Sequence, residues 1–258
     1  MTHKKTVIVI TGASSGIGTA LAVEYAADGV TLGLLGRNAA RLDVVKAACT
    51  AKGAVVEVGL VDVSDPDAMR EWLLGFDSRH EISLLVANAG ISGGTGGLTE
   101  PEAQVRQIFS VNLGGVLNTV LPIAPRMAER KSGQIAIMAS LAGMRGLPSA
   151  PAYSASKAAV KHFGEALRGS LGKSGVKVSV ICPGYVKTPL TDVNGFYMPF
   201  LMSAEKAAKR IRCGLKSNKP RIAFPLRLYL PLWLLSCLSP HITDPLFAAL
   251  PQKAIAEL

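Results

Sequence analysis

The apolar positions of this chain alternate between two periods. Val7-Ile8-Val9-Ile10 is an unbroken β-branched run ending at Thr11-Gly12, and the apolar residues of 17–27 then recur at helical spacing. The chain thus opens as strand, turn and helix. Strand-like runs follow at 31–35, 55–60, 83–87, 134–139, 176–182 and 221–224, and helical spacing fills 39–51, 101–109, 112–130, the stretch around Tyr153, and 204–216. Asp65-Pro66 opens a further helix, a capping acid followed by proline at the first helical position. Pro122 and Pro125 predict a bend inside 112–130. This alternation predicts a single α/β domain: a doubly wound parallel sheet of about seven strands with helices on both faces.

Sheets of this kind bind ligands beyond the carboxyl ends of their strands. The residues there are Gly12, Gly36-Arg37, Asp62, Asn88-Ala89-Gly90, Ser140 and Pro183-Gly184. Between the first strand and helix lies Thr11-Gly12-Ala13-Ser14-Ser15-Gly16-Ile17-Gly18. Its glycines let the backbone approach a pyrophosphate, and the N–H groups opening the helix favour the negative charge. After the second strand comes Gly36-Arg37-Asn38-Ala39, with no acid before Asp43. A carboxylate there would read the ribose 2′-hydroxyl of NAD, whereas an arginine fork suits a 2′-phosphate, so NADP(H) is expected ahead of NAD. Asp62 is placed either to meet an adenine amino group or to cap the next helix near Ser64.

Ala152 to Val160 is Ala-rich and free of Gly and Pro. It should be helical, which puts Tyr153 and Lys157 one turn apart on one face. An ammonium held beside a phenol favours the phenolate and draws its pKa toward neutrality, as acid–base work would need.

With 49% hydrophobic and 18% charged residues, the chain is neither disordered nor an acidic solvating protein. Its four cysteines are dispersed, without C-x-x-C or histidines at ligand spacing. Neither a disulfide framework nor a metal site is expected, and a reducing compartment fits. Residues 1–5 are basic, but the apolar run behind them is too short for a signal peptide.

Taken in order, T-G-x-x-x-G-x-G at 11–18, Asp62-Val63, Asn88-Ala89-Gly90, Asn112, Ser140, Tyr153-x-x-x-Lys157 and Pro183-Gly184 with Thr188 resemble the short-chain dehydrogenase/reductase family over roughly residues 5–190. The resemblance implies a Rossmann-type fold and hydride transfer between a nicotinamide and a carbonyl or alcohol carbon. It implies Tyr153 as acid or base, Lys157 as the group that lowers its pKa and binds the nicotinamide ribose, Ser140 on the substrate oxygen, and Asn112 holding a relay water. Thr188 would anchor the nicotinamide carboxamide. Gly12, Ser14, Ser15, Gly16, Ile17, Gly18, Arg37, Asp62, Val63, Asn88, Ala89, Gly90, Pro183, Gly184, Val186 and Thr188, with Tyr153 and Lys157, would line the cofactor. One departure is Ala87, where the family usually has the first of two asparagines. A non-catalytic dinucleotide sensor or a membrane-associated scaffold on the same fold is the alternative.

Beyond Thr188 the pattern is the chain's own. The substrate loop, 186–203, is apolar and aromatic, with Phe196, Tyr197, Met198, Phe200 and Met202. It suits a hydrophobic substrate, lipid-, steroid- or retinoid-like, or else packs as core. Net charge is +10, and eight basic residues with no acid fall in 206–227, ahead of the apolar stretch 228–238. Residues 1–225 are expected to form the catalytic domain. Residues 226–258 form an apolar extension that either contacts an anionic membrane peripherally or packs on a partner subunit of a dimer or tetramer. No recognition module accompanies the charge, so nucleic acid is not an expected partner. The expected location is the cytoplasm, free or on a membrane surface.

Overall fold

In strand Thr6–Thr11 (β1), Val7 and Val9 enter one apolar layer while Ile8 and Ile10 enter the other, because successive side chains leave opposite faces of a sheet. The computed structural model describes residues 6–255; the basic start at 1–5 and residues 256–258 lie outside the described residues. After β1 come α1 (Gly16–Tyr25), β2 (Val30–Gly36), α2 (Ala39–Thr50), β3 (Val55–Leu60), α3 (Pro66–Arg79) and β4 (Leu84–Ala87). A long helical run follows as α4 (Glu102–Phe109), a wide turn (Ser110–Gly114), α5 (Gly115–Val120) and α6 (Ala124–Glu129), then β5 (Gln134–Met138) and α7 (Pro151–Gly172). The chain continues as β6 (Lys177–Pro183), β7 (Val186–Lys187), α8 (Pro189–Asp192), β8 (Met202–Ser203), α9 (Ala204–Lys216), β9 (Arg221–Phe224), α10 (Leu226–Ser236) and α11 (Pro240–Ala248).

Seven strands form one parallel sheet in the order β3-β2-β1-β4-β5-β6-β9. The order reverses between β1 and β4, which opens a crevice at their carboxyl ends. The expected Rossmann-type sheet is therefore present, and the crevice is where the glycine turn after β1 and Asn88 after β4 meet. Side chains of α1, α2 and α9 pack in one layer, and those of α3, α5, α6 and α7 in the other.

The bend expected near Pro122 and Pro125 is a break: residues 121–123 form a turn, and Pro125 lies in the first turn of α6. The widened turn at Ser110–Gly114 was not foreseen. It centres on Asn112, whose side chain is drawn out of the helix toward neighbouring elements. Glu102–Glu129 is apolar and long enough to cross a membrane by composition, yet over half of its apolar window is buried in the fold.

The two helices that follow β8 and β9 pack on different layers. Ala207, Ala208, Ile211 and Leu215 of α9 sit in the layer of α1, while Leu228, Tyr229 and Leu232 of α10 pack on the layer of α7. These helices therefore pack on opposite faces of the sheet beside edge strand β9. Part of the charge is also engaged, since Arg212 pairs with Glu24 at 3.0 Å and Arg221 with Glu165. Arg227 lies on α10 itself, whose Leu226, Leu230, Trp233 and Leu234 are exposed.

One buried ion cluster ties α3 to α6. The fully buried carboxylate of Asp77 accepts from Ile82 N at 2.9 Å, Arg130 Nη1 at 2.9 Å and Arg126 Nε at 2.5 Å. Burial alone would raise its pKa, but these donors hold it below the usual carboxylate value. Asp77→Ala should destabilise the fold by about 3 kcal/mol or more, since it leaves two guanidinium groups and a main-chain donor without their acceptor. A depressed folded pKa means that this stabilisation is fully present above the unfolded value, about 3.9, and lost as pH falls through the folded one. Urea melts at pH 7 and pH 3 check both statements: the gap between wild type and variant should shrink on acidification.

Candidate active site

Gly12 and Gly16 have φ of +65° and +55°, a region that side-chain-bearing residues avoid. A Cβ at Gly12 would lie 2.8 Å from the Ala89 Cα, and one at Gly16 would lie 2.9 Å from Thr188 Cγ2. The glycine turn is thereby pressed between the β4 end and Thr188, with the opening N–H groups of α1 left bare toward a cavity of about 880 Å³. A backbone cradle at a helix N-terminus fits the pyrophosphate of a dinucleotide. Asn88 braces it, its amide donating to Thr11 O at 2.9 Å and its own N–H to Thr11 Oγ1 at 3.0 Å.

The cavity brings together nearly all the predicted residues. Its wall includes Gly12, Ser14, Ser15, Gly16, Ile17, Arg37, Asp62, Val63, Asn88, Ala89, Gly90, Ser140, Tyr153, Lys157, Pro183, Gly184, Val186 and Thr188. Two are placed elsewhere. Gly18 is a packing position, where a Cβ would stand 2.2 Å from the Gly12 carbonyl oxygen. Asn112 is fully buried behind the wall, its Oδ1 accepting from Ile91 N at 2.8 Å and its Nδ2 donating to Ile91 O and Ser156 Oγ at 3.0 Å.

At one end, Arg37 Nη1 lies 3.4 Å from Asp62 Oδ2, with Arg37 mostly and Asp62 partly solvent-exposed. Asp62 Oδ1 accepts from the N–H and hydroxyl of Ser64 at 2.9 and 2.7 Å, a local turn; the cap of α3 is Asp65, which accepts from Asp67 N and Ala68 N. Burial would raise its carboxyl, but Ser64 and Arg37 hold it below the usual range. Asn38 caps α2 by accepting from Arg41 N at 2.9 Å. Arg41 joins the wall beside Arg37, a second cation one turn on that the spacing alone made findable.

At the other end, Tyr153 is the third residue of α7, set there by Pro151 at the first helical position. Lys157, one turn later, donates to the Met138 carbonyl at 3.0 Å and stands 5.8 Å from the Tyr153 ring centre. Ser140, beyond β5, accepts from Ala142 N at 3.1 Å, and its hydroxyl reaches that of Tyr153. Burial pushes the Tyr153 phenol above its usual value, against the opposing bond to Ser140, and burial draws the Lys157 ammonium down to about 8. The lowering of Tyr153 expected from Lys157 is not found: burial disfavours both charged forms, and Lys157 is turned to the Met138 carbonyl. The wall also contains Arg145, Tyr185, Leu228, Leu232 and Lys253, none of them foreseen. The last three come from chain beyond β9, whose path depends on docking that no local pattern encodes.

A short chain dehydrogenase family model matches residues 6–195. An uncharacterized oxidoreductase of Myxococcus xanthus is 38% identical over 246 residues, covering 95% of this chain and 96% of the relative. A short chain dehydrogenase of Mycobacterium paratuberculosis, solved bound to NAD, is 27% identical with a TM-score of 0.75, over 85% of this chain and 95% of that one. A short-chain dehydrogenase from Sphingobium yanoikuyae in complex with NADPH has the same fold, with a TM-score of 0.81 at 24% identity over 98% and 99%. Matched over most of its length, and aligned almost end to end with a relative, the chain belongs to the short-chain dehydrogenase/reductase family of oxidoreductases.

Proposed function

We propose that this protein is an NADPH-dependent reductase of apolar ketones or aldehydes, working reversibly on the matching alcohols. The observation that carries this is the convergence of Tyr153, Ser140 and Lys157 at one end of a cavity whose other end presents Arg37 and Arg41. The glycine cradle, Arg37, Asp62, Asn88, Lys157 and Thr188 would hold the dinucleotide, which supplies the hydride when bound. Tyr153 then donates its phenolic proton to the substrate oxygen. The phenol is protonated at neutral pH and so can serve as the donor in reduction. Ser140, whose oxygen accepts from Ala142 N and whose hydroxyl makes only a long bond, 3.4 Å, to the Pro183 carbonyl, would turn its hydrogen to the same oxygen as charge develops on it. Asn112 acts by position: through Ser156, which donates to Tyr153 O at 2.8 Å, it ties the start of α7 to the loop after β4.

Leu141, Leu147, Tyr185, Phe196, Leu228 and Leu232 give the substrate end an apolar wall. NADPH oxidation by carbonyl compounds graded by chain length and ring number tests the proposal. Efficiency should rise with apolar surface until the wall is filled. Turnover confined to small polar carbonyls would remove the hydrophobic substrate class, and no turnover across the series would return the chain to a sensor.

A further inference from the structure

The end of the chain returns to the substrate side of the cavity and is seated there on both flanks. Arg145 holds α11, donating to Thr243 Oγ1 at 3.1 Å and Asp244 Oδ1 at 2.7 Å and standing 5.3 Å over the Phe247 ring. Thr243 and Phe247 are buried beneath it. Further on, the Lys253 carbonyl accepts from Gly96 N at 2.9 Å, and Thr95 Oγ1 donates to Gln252 Oε1 at 3.2 Å. The approach is close enough that a Cβ at Gly94 would fall 2.3 Å from the Lys253 oxygen.

This seat delivers one functional side chain. Lys253 Nζ lies 5.3 Å from the centre of the Tyr153 ring, half-buried in the cavity wall, and donates to Ser92 Oγ at 2.5 Å. It has no ion-pair partner among the described residues. The carboxylate that bears on it, Glu100, is occupied by Ala152 N at 2.7 Å and by Gln104 Nε2 at 3.3 Å. Among the described residues lining the cavity here, the other charged groups are Lys157 and Arg145, the latter paired with Asp244, so the lining is cationic beside an apolar wall.

We infer that Lys253 is a specificity-determining residue that receives an anionic group, a carboxylate or similar oxyanion, carried by the apolar substrate close to its reacting carbonyl. An unpaired ammonium in apolar surroundings is disfavoured, and burial draws this one down to about 8. An incoming carboxylate would supply the missing partner, and an apolar chain alone would leave the ammonium further desolvated. The inference rests on the carbonyl-reductase proposal and narrows its substrate to an apolar oxo-acid.

The test compares 5-oxodecanoate with its methyl ester as substrates with NADPH, in wild type, Lys253→Met and Lys253→Arg. Methionine keeps the stem and removes the charge, and arginine restores it. Wild type should prefer the acid. Lys253→Met should raise KM for the acid about ten- to hundredfold with kcat and the ester little changed, the size of a lost charge-assisted hydrogen bond, and Lys253→Arg should recover much of it. Calorimetry of decanoate against decanol on the NADPH-loaded protein should show the same selective loss in Lys253→Met without any turnover. Equal falls in kcat on acid and ester would make Lys253 a partner of Tyr153 and overturn the inference, as would a wild-type preference for the ester. If neither ketone is reduced, the proposed activity fails on these probes while the decanoate titration still decides the role of Lys253: unchanged affinity in Lys253→Met sinks it.

Discussion

Tyr153→Phe should bind NADPH as the wild type does and reduce its carbonyl substrate at least about a hundredfold more slowly, because a positioned proton donor typically contributes roughly 10²–10⁴ in rate. The ring itself is a wall of the cavity and survives the change, flanked by Lys157 at 5.8 Å and Lys253 at 5.3 Å. Only the hydroxyl that meets Ser140 is removed. The loss should therefore fall on kcat, with cofactor affinity, read from NADPH fluorescence, unmoved. Lys157→Ala is the contrast. It removes a buried ammonium bonded to Met138 O, inside the wall that would bind the dinucleotide, and should weaken NADPH as well as slow turnover. If Tyr153→Phe retained more than about a hundredth of the wild-type rate, below the usual contribution of such a donor, another acid would have to serve the site.

NADPH should exceed NADH by about two orders of magnitude in kcat/KM, since a charge-assisted bond to the 2′-phosphate contributes about 1.5–3 kcal/mol and the second strand ends without a competing acid. Arg37 is free to make that bond. Its contact with Asp62 is long, at 3.4 Å, and solvent-exposed, the kind of pair that contributes little and is readily given up. Arg41, in the same wall, adds to the positive field. Arg37→Ala should lose most of the preference by weakening NADPH alone, and Arg37→Asp should reverse it by offering a carboxylate to the ribose hydroxyls. Steady-state rates with both cofactors across the three proteins read this directly, and equal efficiency of the wild type with NADH and NADPH would remove Arg37 from the binding role.

What was legible in the chain was whatever local patterning controls. The β-branched runs became strands because burial on both faces of a parallel sheet demands them, and α9 and β9 begin and end where their spacing ends. The glycine turn, Arg37, Ser140 and the Tyr153–Lys157 pair are legible for the same reason: each lies at a strand end or on one helical turn, so topology carries it to the crevice. The widened turn at Ser110–Gly114 was not legible, because it follows from bonds between Asn112, Ile91 and Ser156, residues far apart in sequence. Lys253 was hidden more deeply, since its place depends on Arg145 seating α11 nearly a hundred positions away. The packing of α9 and α10 was hidden for the converse reason: these neighbours in sequence, on either side of an edge strand, pack on opposite faces of the sheet.

The most direct measurement is isotope transfer. With NADPH deuterated at both C4 positions of the nicotinamide and a ketone that supports turnover, the alcohol formed should carry one deuterium on its carbinol carbon, stoichiometric with NADPH consumed. The rates of label transfer and NADPH consumption should both fall at least about a hundredfold in Tyr153→Phe while NADPH still binds. NADPH consumed without label reaching the carbinol carbon, or label transfer undiminished in Tyr153→Phe, would contradict carbonyl reduction by this site.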